Sequence, residues 1–306
     1  MVLIKKTHPL TKVESKLLNS IKKEKTIKFF EKYKIKGLID QDPGEKIPSF
    51  SNILKKTSYS VIRIPNQPWE VRFNFKKTRG VTKIFLHNKY DSGKPSLIFH
   101  HGLASSKNTE LKVFLNSIFL DKFNVFSIKA ANHDSLRQVI RQCVNKFMNL
   151  ATTTCASVIA INEIVNFIRD NSDKPIFVVG LSMGGIVTGL HYFYFGTANF
   201  YFPIIAYPNF GEIILSEKNR PLIHNYQKLS RNASIKNCFE IPKVLKKKPK
   251  EKIYPILGSN DELIDFKDAQ KFWKGYKTKT FNTGHFSIAL KIGEIRNYIL
   301  ETSGVQ

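Results

Sequence analysis

Residues 175–185 read Pro-Ile-Phe-Val-Val-Gly-Leu-Ser-Met-Gly-Gly, and the rest of the chain is organised around them. The uninterrupted apolar run from Ile176 to Val179 predicts a strand buried on both faces. It breaks into Gly180-Leu181-Ser182-Met183-Gly184, the G-x-S-x-G pattern of a nucleophile elbow. A serine held in a strained turn between strand and helix needs neighbours two positions away without side chains, and Gly180 and Gly184 meet that need. Three small residues at fixed spacing also occur in ordinary glycine-rich turns, so the pattern takes its weight from context. A strand precedes it, and Ile186, Val187 and Leu190 predict a helix after it.

Working outward, Ser58 to Ile64, Glu70 to Phe75 and Val81 to His87 are short strand candidates separated by turn signals at Pro65-Asn66 and Thr78-Arg79-Gly80. They predict an antiparallel entry to a larger sheet. Pro95 to His100 is a second buried-strand run and leads into His101-Gly102-Leu103. Strands and helices then alternate. Leu111, Phe114, Leu115 and Ile118 form an apolar helical face, Val125 to Ile128 a strand, and Cys155, Val158, Ile161, Val165 and Ile168 a second helical face. Beyond the elbow come strands at Phe202 to Tyr207, Ile253 to Leu257 and Thr278 to Phe281, with a helix from about Phe266 to Lys274. A last helix carries Ile288, Ile292, Ile295 and Ile299. Such alternation predicts an α/β fold with a mostly parallel central sheet and helices on both faces.

The chain has 306 residues, 42% of them hydrophobic and 12% aromatic, enough for a substantial core. Its formal charge of +25 would suit an anionic partner. The lysines are scattered among abundant Ile, Asn and Phe and form no nucleic-acid-reading motif, so the charge is read as compositional and no nucleic-acid partner is expected. Thr11 to Lys34 is a lysine-rich helical candidate with Val13, Leu17 and Ile21 on one face, which packs on the domain or lies against an anionic membrane. Cys143, Cys155 and Cys238 make neither a CxxC pair nor a zinc pattern, and their odd number argues against a disulfide framework. With no apolar segment of signal-peptide length between Met1 and Lys12, the expected location is cytoplasmic. From Pro175 to Gly211 no Asp, Glu, Lys or Arg occurs, a run longer than the roughly 20 residues of a membrane span. Gly180, Gly184, Gly185, Gly189, Gly196, Asn199 and Pro203 interrupt it, which marks the centre of a domain instead.

His101-Gly102 after one strand, Gly180-Leu181-Ser182-Met183-Gly184 after another, Gly258-Ser259-Asn260-Asp261 after a later one and Gly284-His285-Phe286 near the end together resemble the α/β-hydrolase superfamily. The resemblance spans roughly Ser58 to Leu300 and rests on the order Ser, Asp, His. It implies the fold and the catalytic apparatus and leaves the substrate open; the expected function is a serine hydrolase that cleaves an acyl bond, a carboxylic ester first, through an acyl-serine intermediate and with no cofactor or metal. The same apparatus would serve a thioesterase, acyltransferase or peptidase, and the fold alone would serve a non-catalytic binding protein.

In this reading Ser182 is the nucleophile, His285 takes its proton, and a carboxylate holds the imidazole. Asp261 is the choice, because the resemblance places the acid after a strand such as Ile253 to Leu257. Glu262 is the runner-up, whereas Asp265 suits an N-cap for the helix that follows. The backbone N–H groups of Leu103 and Met183 are the candidate oxyanion donors. His101 and His100 are assigned structural roles, and His133-Asp134 a solvated turn. The resulting layout is a basic helical arm over 1–57, a hydrolase domain over 58–300, and a tail over 301–306. Within the domain, the insertion 208–252 is expected to cap the site. Its Phe210, Ile213, Ile214, Leu215, Leu222, Ile223, Tyr226 and Leu229 would face a small-molecule or lipid-like acyl substrate, and Lys246-Lys247-Lys248-Pro249-Lys250 would form a solvated basic end.

Overall fold

The computed structural model describes residues 37–103, 105 and 114–304. Thr11 to Lys34 lies outside them. Among the described residues nine strands form one sheet: β1 (Ser58–Ile62), β2 (Trp69–Phe75), β3 (Thr78–Leu86), β4 (Ser96–His100), β5 (Asn124–Lys129), β6 (Ile176–Leu181), β7 (Phe200–Ile204), β8 (Ile256–Gly258) and β9 (Lys279–Phe281). Their spatial order is β1-β2-β3-β5-β4-β6-β7-β8-β9. The first three pair antiparallel, β3 meets β5 antiparallel, and from β5 to β9 every pairing is parallel. The antiparallel entry and parallel centre are those the sequence predicts.

Side-chain alternation along each strand divides the core into two layers. Ile98, Phe126, Ile128 and Val178 point to one face, while Leu97, Phe99, Val125, Phe177 and Val179 point to the other. The first layer is covered by α1 (Phe50–Lys56), α3 (Phe147–Asn171) and α4 (Met183–Tyr194). The second is covered by α2 (Ser117–Lys122) and α9 (Ile292–Ser303), whose Phe119, Ile295 and Ile299 are buried. By length and composition α3 could cross a bilayer, but most of it is buried against β2, β3, α1 and α4 as a core helix.

Several boundaries differ from the expected ones. Leu111 lies outside the described residues, Phe114 is buried, and Ile118 faces solvent at 47% exposure, so the apolar face expected there is only partly used. The strand after α4 stops at Ile204 because Ile205 takes a left-handed φ of 46°. Ile288 sits in a 3-10 turn, Ser287–Lys291, ahead of α9, yet it is buried as expected.

Two larger corrections concern the expected layout. Residues 37–57 are not part of a separate arm, since Ile39, Ile47, Phe50 and Ile53 are each at most 3% exposed within the core. Residues 208–252 carry three short helices, α5 (Phe210–Ile214), α6 (Tyr226–Leu229) and α7 (Ala233–Asn237). Phe210, Ile213, Ile223, Tyr226 and Leu229 are buried in the same core, and Ile214, Leu215 and Leu222 pack against it. Phe239 meets Phe50, Phe147 and Phe210 at ring-centroid distances of 5.1, 5.9 and 5.7 Å. The apolar residues expected to line an acyl pocket therefore complete the core between α1 and α3. At the basic end, Lys246 lies 5.7 Å from the Phe272 ring and Lys250 lies 5.1 Å from the Tyr276 ring, so their stems rest on aromatic surface.

Candidate active site

Ser182 stands between β6 and α4 at φ 55° and ψ −114°, a strained conformation for a residue with a side chain. The turn closes tightly around it. A Cβ on Gly180 would fall 2.0 Å from the Gly184 carbonyl oxygen, and one on Gly184 would fall 2.1 Å from that of His100. Both close approaches involve backbone, so the two glycines are required by the turn. The Ser182 N–H donates to the Ile204 oxygen at 2.9 Å, pinning the elbow to the end of β7.

Asp261 and His285 arrive from the ends of β8 and β9. The crossing bonds Ser259 N–H to Phe281 O (2.9 Å) and Asn260 N–H to Thr283 O (3.0 Å) hold the two loops side by side. Asp261, only 4% exposed, accepts from the N–H groups of Leu263 and Ile264 at 2.9 Å each through Oδ1. Its Oδ2 lies 2.8 Å from His285 Nδ1. A carboxylate accepts, so that ring nitrogen carries the proton, and in the neutral imidazole Nε2 accepts from the Ser182 hydroxyl at 2.9 Å. The structure thus brings Ser182, His285 and Asp261 into one hydrogen-bonded chain.

The competing carboxylates are placed elsewhere. Glu262 Oε2 lies 3.9 Å from Lys218 Nζ. Asp265 caps α8 (Phe266–Phe272), accepting from the N–H groups of Lys267 and Asp268 at 2.8 and 3.2 Å. Partial burial raises its pKa, but the Lys218 ammonium at 2.7 Å and the helix N–H groups outweigh that and leave it lowered.

Met183 is the first residue of α4, where N–H groups have no acceptor within the helix. Leu103 follows β4 by three residues, in the turn whose His100 oxygen meets Gly184. Beneath that turn lies a cluster of three histidines. His100, His101 and His133 are all buried, with successive ring centroids 5.0 Å apart. His101 Nε2 accepts from the Ala130 N–H at 3.1 Å, so Nδ1 donates to the Gly102 oxygen at 2.6 Å. His133 is the opposite of the solvated turn residue expected of it. At 0% exposure it sits with Nδ1 2.8 Å from the Ala131 oxygen, while its neighbour Asp134 pairs with Lys129 at the surface. Nothing in a His-Asp dipeptide after a strand separates these outcomes. Asn132, immediately before it, takes a left-handed φ of 61°.

Burial pushes His100 down to about 4 and His191, inside α4, to about 3, and it lowers His101 and His133 as well. The unfolded chain binds protons at these imidazoles near pH 6.5 and the folded chain does not, so stability present above that pH is lost as pH falls. Between pH 7 and pH 5, His100 and His191 together should cost on the order of 4 kcal/mol. Urea denaturation at the two pH values measures this, and an unchanged midpoint would contradict buried neutral imidazoles.

The chain matches no protein-family model and no curated protein. Among solved structures it is similar to acetyl xylan esterase 1 from Thermoanaerobacterium sp., with TM-score 0.57, 13% identity, and coverage of 85% of this chain and 96% of that one. It is also similar to an acetyl xylan esterase from a Paenibacillus species, with TM-score 0.52, 9% identity and coverage of 82% and 92%. A third is Est1E from Butyrivibrio proteoclasticus bound to ferulic acid, with TM-score 0.50, 13% identity and coverage of 76% and 98%. At such identities the likeness is one of fold. With the parallel strand order and the strained elbow serine, it establishes that this chain has the α/β-hydrolase fold.

Proposed function

We propose that the protein is a serine hydrolase that cleaves an acyl bond, a carboxylic ester first, through an acyl-serine intermediate at Ser182. The observation that carries this is the continuous chain Ser182 Oγ to His285 Nε2 at 2.9 Å and His285 Nδ1 to Asp261 Oδ2 at 2.8 Å. As Oγ attacks the acyl carbon, His285 takes the hydroxyl proton and Asp261 stabilises the imidazolium. Charge developing on the acyl oxygen is met by the N–H groups of Met183 and Leu103, the first of them at the positive end of α4. Collapse expels the leaving alcohol with the proton from His285, and water repeats the sequence to free the acid. Nothing in these steps calls for a metal or organic cofactor.

The ester reading is preferred over thioester or amide because the fold neighbours are described as esterases. A reducing, cytoplasmic setting belongs to the same proposal, supported by Cys143, Cys155 and Cys238, which are free and buried. A fluorophosphonate probe should label Ser182, and a panel of p-nitrophenyl esters of graded acyl length should be turned over. A wild-type protein that neither reacts with the probe nor cleaves any ester would reduce the fold to a binding role.

A further inference from the structure

We infer that Asn219, in the insertion, is a positioning residue that holds Asp261 in place against His285. The inference rests on the hydrolase reading above for its catalytic consequence, but its geometry stands by itself. Asn219 lies in the 3-10 turn Glu217–Leu222 and is 7% exposed. Its Nδ2 donates to the carbonyl oxygens of Ile213, at 2.7 Å, and Leu263, at 3.1 Å. Both contacts are acceptors only, so the side-chain amide can be oriented in one way alone.

The Leu263 carbonyl belongs to the same planar peptide unit as the Ile264 N–H, and that N–H donates to Asp261 Oδ1 at 2.9 Å. Fixing the oxygen end of a rigid trans peptide fixes the direction of its N–H. Asn219 therefore aims one of the two N–H groups that orient the Asp261 carboxylate, whose other oxygen faces His285. The adjacent Lys218 supports the same loop, with Nζ 2.7 Å from Asp265 and 3.9 Å from Glu262. The turn is itself anchored by the Leu38 N–H to Leu222 O at 2.8 Å and the His224 N–H to Leu38 O at 2.9 Å. On this account the insertion serves the chemistry from behind the acid, instead of selecting acyl chains from above the serine.

The test uses the full chain with Asn219→Leu and Asn219→Asp, of similar size and both without the amide donors. Four quantities are read: thermal midpoint, kcat per site titrated by fluorophosphonate, KM, and the low-field NMR resonance of the His285 Nδ1 proton. The expected result in both variants is a fall in kcat per titrated site of about 10- to 100-fold, the scale of a misplacement near 1 Å, with KM nearly unchanged. The His285 proton should move upfield and exchange faster with water. A lowered thermal midpoint with kcat per site and the His285 proton both unchanged overturns the inference and leaves Asn219 a packing residue. If the wild type does not react with the probe and the His285 proton still responds to both substitutions, the hydrolase reading fails while the positioning role holds.

Discussion

Ser182→Ala should abolish fluorophosphonate labelling and lower ester turnover by about 10⁶-fold, the scale seen when a nucleophile acting with its base is removed. The hydroxyl is the only group at that position able to form the acyl bond, and His285 Nε2, 2.9 Å away, is left with no proton to take. Folding should survive, because the turn is built from backbone. The Ser182 N–H still reaches Ile204 O, Gly180 still admits the Gly184 backbone, and Gly184 still admits that of His100. Gel fluorescence of the probe, kcat and a circular dichroism melt measure the three parts. Labelling that persists in the variant would move the nucleophile elsewhere.

Neutralising the acid is the second large effect. Asp261→Asn should lower kcat by about 10⁴-fold, because an amide can present its NH₂ to the imidazole and hold the wrong tautomer. Asp265→Asn should leave kcat near normal and cost at most about 1 kcal/mol, since Asn also caps helices and the ion pair with Lys218 is partly exposed. Comparing kcat and urea midpoints for the two variants separates the roles. Loss of activity in Glu262→Gln with Asp261→Asn active would reverse the assignment.

The site was legible in the sequence where its chemistry depends on short-range order. Gly180 and Gly184 flank Ser182 because a close turn admits nothing larger, and that constraint is written in five consecutive residues. Asp261 follows β8, an apolar run that advertises itself by composition, whereas His285 follows the short and mostly exposed β9 and was legible from its place just before the last helix. What escaped was decided by partners distant in the chain. The apolar residues of 208–252 look alike whether they face a ligand or a core, and Phe50 and Phe147 settle the matter by packing against Phe239 of that segment. His133 is buried against His101, a partner from a different strand end that no local spacing encodes. The role of Asn219 is set by the Ile213 and Leu263 carbonyls that its amide bridges, and an asparagine in a polar stretch gives no sign of it.

The docking of residues 37–57 also bears on the order in which the chain can be completed. Ile47 N–H donates to Ser234 Oγ across 187 positions, and the Cys238 thiol meets Pro48 O across 190. At the usual pace of synthesis, roughly 5–20 residues per second, those partners leave the ribosome on the order of ten to forty seconds after the segment that needs them. Through that interval the segment can meet only its earlier-made partners, Val144 and α3, and the site around Phe50 stays open until Phe239, in the last-made third, arrives to close it.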